Sequence, residues 1–294
     1  MERKTSRDFD RELLDLFDQY VHGGIDRRGF LDRAAKFAVG GMTAAMLLDQ
    51  LSPTFAEAQQ VKPDDARLKI ERVSYPSPNG NAKTSGYLVR PAKASGTLPG
   101  VLVVHENRGL NPHIEDIARR VALENFLAFA PDALAPLGGY PGDEDKARTL
   151  FPQLDQAKTR EDFIAAANWL KARPDCTGKI GAVGFCYGGG IVNMLATKLP
   201  DLAAAVPFYG NQPSAEDTAK IKAAMLIHYA ENDQITTRSP AFEAALKANH
   251  VSYEMFTYPG TQHGFNNDTT PRYDAEAAKL AWTRTIDFFQ KHLR

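Results

Sequence analysis

The spacing of apolar residues changes several times along the chain, and each change marks an element. In "RELLDLFDQYV" the residues Leu13, Leu14, Leu16, Phe17, Tyr20 and Val21 recur three and four apart, which places them on one face of an amphipathic helix. After Pro63 the pattern turns strand-like: "LKIERVSYPS" and "TSGYLVRP", separated by the turn-forming "PNGNAK", read as an antiparallel hairpin. "GVLVVHE" is a continuous apolar run, as expected of a strand covered on both faces. From there, strand-like "FLAFAPD", "KIGAVGF", "LAAAVPFYG", "AAMLIHYA" and "SYEMFTYP" alternate with helical stretches. The helices begin at "NPHIEDIARRVALEN", "DQAKTREDFIAAANWLKAR", "GGGIVNMLATKL", "SPAFEAALKANH" and "DAEAAKLAWTRTIDFFQKHL". Such alternation predicts an α/β fold, a mostly parallel sheet with helices on both faces, formed by one domain over residues 62–294. Ligands in such sheets bind beyond the carboxyl ends of the strands.

Composition narrows the function. The 294 residues are 43% apolar and 24% charged with a net charge of −1, so no basic field exists to hold a nucleic acid. The two cysteines, Cys176 and Cys186, flank a turn and a buried strand that sets their ends roughly 20 Å apart, too far for a disulfide. Cys176 is expected in a helix-to-strand turn with no chemical role.

Residues 1–58 allow two readings. Asp26-Arg27-Arg28-Gly29-Phe30-Leu31-Asp32 resembles a twin-arginine export signal, followed by the weakly apolar "AAKFAVGGMTAAMLL" and by Ala56-Glu57-Ala58, small residues at signal-peptidase spacing. This reading implies the twin-arginine export machinery as a partner, cleavage near Ala58 and a periplasmic location. The apolar run is too short and glycine-rich for stable membrane insertion. The alternative is a retained helical arm in the cytoplasm: Asp26 and Asp32 flank the arginines, and the amphipathic segment ahead of them could dock on the body.

The chemistry collects at the expected strand ends. "VGFCYGGG" carries the Gly-x-nucleophile-x-Gly turn of an α/β-hydrolase with Cys186 in place of serine. Gly184, Gly188 and Gly189 would let strand and helix approach closely there, and the helix N-terminus favours a thiolate. Asp233 in "ENDQIT" and His263 in "GTQHGF" follow later strands in the order this fold requires, nucleophile then acid then histidine. His105 and His228 fall at strand termini without partners at ligand spacing, so no metal and no cofactor is expected.

From about Lys69 onward the chain resembles the dienelactone hydrolase family, through "VVHENRGL", "GFCYGGG", "ENDQIT" and "YPGTQHGF". The resemblance implies an α/β-hydrolase fold and a catalytic triad of Cys186, Asp233 and His263, with Glu106 as a fourth participant that holds the thiol's proton until the site is occupied. By analogy with the fold, the backbone N–H groups of Tyr187 and Asn107 form the oxyanion hole. The expected reaction is hydrolysis of a small ester or lactone through an acyl-enzyme; the alternative on the same fold is a thiol redox sensor or binding protein. Members of the family bind the substrate's free carboxylate with arginines, one shortly after the histidine. Here "HGFNNDTTPR" has Asn267 in that place, and a neutral amide cannot make the bidentate contact. Arg108 or Arg272 could compensate, and Tyr140, in "APLGGYPGDEDKARTL", could line the pocket.

Overall fold

The computed structural model describes residues 4–294. Its centre is an eight-stranded sheet in the order β1-β2-β4-β3-β5-β6-β7-β8. The strands are β1 (Leu68–Val73), β2 (Gly86–Pro91), β3 (Leu98–Val104), β4 (Leu127–Pro131), β5 (Cys176–Phe185), β6 (Ala204–Phe208), β7 (Ala224–Asn232) and β8 (Tyr253–Gln262). β2 pairs antiparallel with β1 and β4, and the remaining pairs are parallel. From β3 the chain moves outward to β4, then returns to place β5 on the other side of β3. That reversal opens a crevice at the carboxyl ends of β3 and β5, the place where such sheets bind ligands.

An arm of four helices precedes the sheet: α1 (Arg11–Val21), α2 (Arg27–Ala34), α3 (Ala44–Leu51) and the short α4 (Phe55–Ala58). The body adds α5 (Pro112–Leu123), α6 (Glu144–Leu150), α7 (Gln156–Lys171), α8 (Tyr187–Lys198), α9 (Ala215–Thr218), α10 (Ser239–Ala248) and α11 (Ala275–Leu293). Alternation along β3 explains its continuous apolar run: Leu102 and Val104 pack in the core beneath α7, α8 and α10, whereas Val101 and Val103 pack with α5 and α11. β5 starts earlier than its apolar run suggests, so Cys176 is its first residue and not part of a turn. Likewise β7 runs past its apolar segment to Asn232, which leaves His228 mid-strand rather than at a terminus. His228 is fully buried, bonded to Tyr258 and Thr285, and burial pushes its pKa down to about 3. It is a neutral core residue.

α1 spans the segment its periodicity predicts. Leu13, Leu14, Phe17, Phe30 and Leu51 are each 2% exposed or less, and with Leu47 and Leu48 they form a separate small core. The twin-arginine-like motif lies in α2, whose N-terminus is capped by the Asp26 carboxylate accepting from Gly29 N–H. Behind it the weakly apolar run is interrupted by Gly40 and Gly41, both at positive φ, before Thr43 caps α3. The arm is joined to the body by the Thr54 N–H bond to Thr269 O (2.8 Å) and by the Asp18–Arg272 ion pair (2.9 Å).

Candidate active site

Cys186 sits between β5 and α8 with φ +55° and ψ −113°, a backbone conformation costly for a residue with a side chain. The surrounding backbone enforces it. A Cβ on Gly188 would lie 2.3 Å from Val104 O, and one on Gly184 2.3 Å from Gly188 O, so the turn closes only with glycine at both places. The thiol is thereby lifted above the crevice at the first turn of α8, where Tyr187 N–H has no partner within the helix. Asn107 follows β3 on the other side of the crevice, in the position expected of the second oxyanion donor.

His263 directly follows β8 and Asp233 directly follows β7. His263 Nδ1–H donates to Asp233 Oδ2 at 2.7 Å, while Asp233 Oδ1 accepts from Ile235 N–H. That fixes the tautomer and leaves His263 Nε2 as the nitrogen facing the thiol; it is buried and has no other partner. The structure thus brings the three triad residues together.

A second histidine reaches the same sulfur. His22, which closes α1, places Nε2 3.4 Å from Cys186 Sγ and packs edge-on against the His263 ring at 4.8 Å between centroids. Its Nδ1 lies 2.9 Å from Asp18 O and 3.3 Å from Asp18 Oδ1, one helical turn back. Burial opposes ionisation of the thiol, but positive charge on His263 and His22 outweighs it and draws the Cys186 pKa down to about 6. For both histidines burial opposes protonation; the thiolate, then Asp233 for His263 and Asp18 for His22, more than offsets it, so both pKa values are raised.

Glu106 is held by Asn267. Its Oε2 accepts from Asn267 Nδ2 at 2.8 Å, while Asn267 Oδ1 accepts from Thr269 N–H and Oγ1–H. The amide standing where an arginine was expected therefore aims the glutamate. Arg108 is buried, with Nη2 donating to Val21 O (2.8 Å) and Nη1 to Asn107 O (2.9 Å), and its Nε lies 3.8 Å from Glu144. Arg272 lines the cavity and pairs with Asp18. Tyr140 stands one layer back: its hydroxyl donates to Glu144 Oε1 (2.9 Å), and Glu144 rather than Tyr140 borders the cavity. His105 is buried, accepting from Ala133 N–H through Nε2.

Phe17, Tyr20, Val21 and His22 form one wall of the cavity, which Glu106 and Arg108 also line, and the cavity volume is about 60 Å³. Sequence reasoning did not find His22 or Asp18. The available signal was an i, i+4 Asp–His pair at the end of an amphipathic helix, but nothing in it names the surface on which that helix docks. His22, Cys186 and His263 hold their ligand-type atoms within 4.8 Å of one another, and among the described residues this is the one cluster of histidine, cysteine or carboxylate side chains placed to grip a metal ion.

Residues 84–293 match the model of the dienelactone hydrolase family, and residues 1–36 match a second model described as YqhI-like. The chain is 33% identical over 236 residues to the "Putative carboxymethylenebutenolidase" of Synechocystis sp., covering 74% of this chain and 95% of that protein. A 114-residue stretch is 56% identical to the "Putative hydrolase fragment YghX" of Escherichia coli, covering 39% of this chain and 97% of the fragment. The crystal structure titled "Putative Dienelactone Hydrolase" of Klebsiella pneumoniae superposes with a TM-score of 0.66 at 28% identity, covering 76% of this chain and 99% of that one. The fold and these matches define an α/β-hydrolase, an enzyme of the carboxylic ester hydrolase class. The chain belongs to the dienelactone hydrolase family, and the family match begins after the arm.

Proposed function

We propose that the protein hydrolyses a small ester or lactone with Cys186 as nucleophile. The observation that carries this reading is the strained Cys186 turn facing the Nε2 of a buried, Asp233-oriented His263. The sulfur attacks the carbonyl carbon, a C–S bond forms, and charge moves to the carbonyl oxygen between the N–H groups of Tyr187 and Asn107. Collapse breaks the C–O bond, and His263 gives its proton to the leaving alkoxide. Water then loses a proton to His263 as its oxygen bonds the acyl carbon, the C–S bond breaks, and the carboxylic acid and thiolate are released. Glu106, aimed by Asn267, lines the same cavity as Cys186.

The cavity of about 60 Å³ is small beside ordinary ligand pockets of about 300–1,000 Å³. This favours short acyl groups. Arg108 and Arg272, both engaged by the arm, line the cavity as candidate partners for an acidic substrate.

Turnover of aryl acetates and enol lactones, measured with and without iodoacetamide, tests the reading. Hydrolysis is expected to vanish on alkylation and in Cys186→Ala, and a short incubation with substrate should add one acyl mass to the wild-type protein. Turnover that persists in Cys186→Ala overturns it.

A further inference from the structure

We propose that His22, oriented by Asp18, is a second catalytic histidine: from the N-terminal arm it donates an N–H hydrogen bond to Cys186 Sγ and holds the thiolate through each turnover. The inference rests on the reading of Cys186 as nucleophile and adds a residue that lies outside the family match over residues 84–293.

Four observations carry it. His22 Nε2 is 3.4 Å from Sγ, a contact suited to an N–H···S bond, and His263 also faces the sulfur, the three groups holding their ligand-type atoms within 4.8 Å of one another. The ring of His22 is fixed from behind by Asp18, through its main-chain oxygen at 2.9 Å and its carboxylate at 3.3 Å from Nδ1, so the thiol faces a second imidazole with an aspartate behind it. The position is built from several directions: Arg272 grips Asp18 at 2.9 Å, and Asn107 Nδ2–H and Arg108 Nη2–H both donate to Val21 O, the carbonyl just before His22. Finally, α1 buries Leu13, Leu14 and Phe17 in the arm's core, so its end is not a loose terminus. A histidine that served only to close α1 would need neither the sulfur contact nor the Arg272 anchor.

The division of labour follows. His263 cycles its proton to the leaving alkoxide and recovers one from water. His22 keeps its proton, stabilising the thiolate before attack and again when the thioester breaks, so no net transfer passes through it. The charged groups facing these histidines are Asp233 after β7, Glu106 and Arg108 after β3, Glu144 and Asp145 on α6, and Arg272 with Asp18 at the arm. An enzyme that works this way keeps residues 1–58 attached.

His22→Ala in the full chain tests the proposal, with Asp18→Asn as the companion that leaves the imidazole in place. The pH profile of Cys186 alkylation by iodoacetamide should move upward by about one unit or more in His22→Ala, the effect of removing a neighbouring cation. Hydrolysis of p-nitrophenyl acetate at pH 6.5 should fall by about tenfold or more in kcat. Added imidazole, filling the space of the missing ring, should restore much of both; Asp18→Asn should shift the profile in the same direction by less. Val21→Ala, which trims the cavity wall and keeps the main-chain carbonyl that Asn107 and Arg108 bond, should change KM and leave the alkylation profile in place.

An unchanged alkylation profile and kcat in His22→Ala overturns the proposal while Cys186→Ala still abolishes turnover; loss of neither activity nor turnover in Cys186→Ala would instead fail the underlying reading. Inactivation of the wild type by EDTA, reversed by Zn²⁺, also overturns it, since the two histidines would then serve a metal. A mature protein that is fully active yet begins after Ala58 does the same.

Discussion

At Cys186, backbone strain and charge act on the same atom. The positive φ points Sγ away from the sheet, and the imidazoles around it stabilise its anion against the penalty of burial. Iodoacetamide should therefore react with a half-maximal rate near pH 6, below the range of an ordinary thiol, and a midpoint between about 8 and 9 would show that the imidazoles do not stabilise the anion. The Asp233 carboxylate fixes which His263 nitrogen faces the sulfur. Asp233→Asn should preserve the fold and lower kcat by about 10²–10⁴, measured on an activated ester, because the ring then loses its oriented tautomer and its counter-charge. The Gly-x-Cys-x-Gly turn, the order nucleophile, acid, histidine at strand ends and the family resemblance singled out these three residues. Glu106 was legible too, but its partner was not: the Asn267 contact joins residues far apart in the chain through the packing of the loop after β8.

That loop, with α5, is the element that positions His263, Asn267 and Arg272. Its anchor is Asp268, 4% exposed, which accepts from Arg120 Nη2 (2.6 Å) and Gln60 Nε2 (2.8 Å) and faces His113 Nδ1 at 3.2 Å. Burial opposes ionisation of Asp268, but His113 and Arg120 outweigh it and hold its pKa down at about 2. A carboxylate with a pKa depressed in the folded state contributes stability above its unfolded value of about 4, and that contribution is lost as the pH falls toward 2. Asp268→Ala removes the shared acceptor of Arg120 and Gln60 and the partner facing His113 in a buried site, while Arg120 keeps Asp116, and should cost about 1–3 kcal/mol in urea unfolding at pH 7. The difference from wild type should shrink below about pH 4. At the neighbouring β5–α8 turn, Gly188→Ala should yield little folded protein, because a Cβ there meets the Val104 carbonyl at 2.3 Å and backbone cannot move aside cheaply. The turn glycines were legible as a motif. The register shift that carries β5 back to Cys176 was not, because Thr177, Gly178 and Lys179 interrupt the apolar pattern.

On the scale of the whole molecule, the arm decides how much of the crevice is open. α1 closes one side of it, Tyr20 and Arg27 both bond Asp145 at α6, and the Arg148 guanidinium stacks 4.5 Å from the Tyr20 ring centroid, so arm and α6 segment form one rim. Acetyl and propionyl esters of one leaving group should be cleaved with kcat/KM at least about tenfold above the benzoyl ester, a difference that a tight wall can supply. Equal rates across that series would show that the wall yields to substrate. Leu14→Ala, in the arm's own core, should lower the arm's local stability by about 2–5 kcal/mol, seen as faster amide exchange in α1 while the sheet stays protected.

Apolar periodicity by itself determined the alternating strands and helices, the ends at which Cys186, Asp233, His263 and Glu106 stand, and the helix α1, because each depends on residues close in sequence. Only the tertiary structure decided where α1 lies, and with it His22 beside the sulfur, the Val21 carbonyl on Arg108 and the size of the cavity. An amphipathic face records that a helix is buried, not which surface buries it; the contact between His22 and Cys186 spans 164 residues and follows from the shape of two packed surfaces.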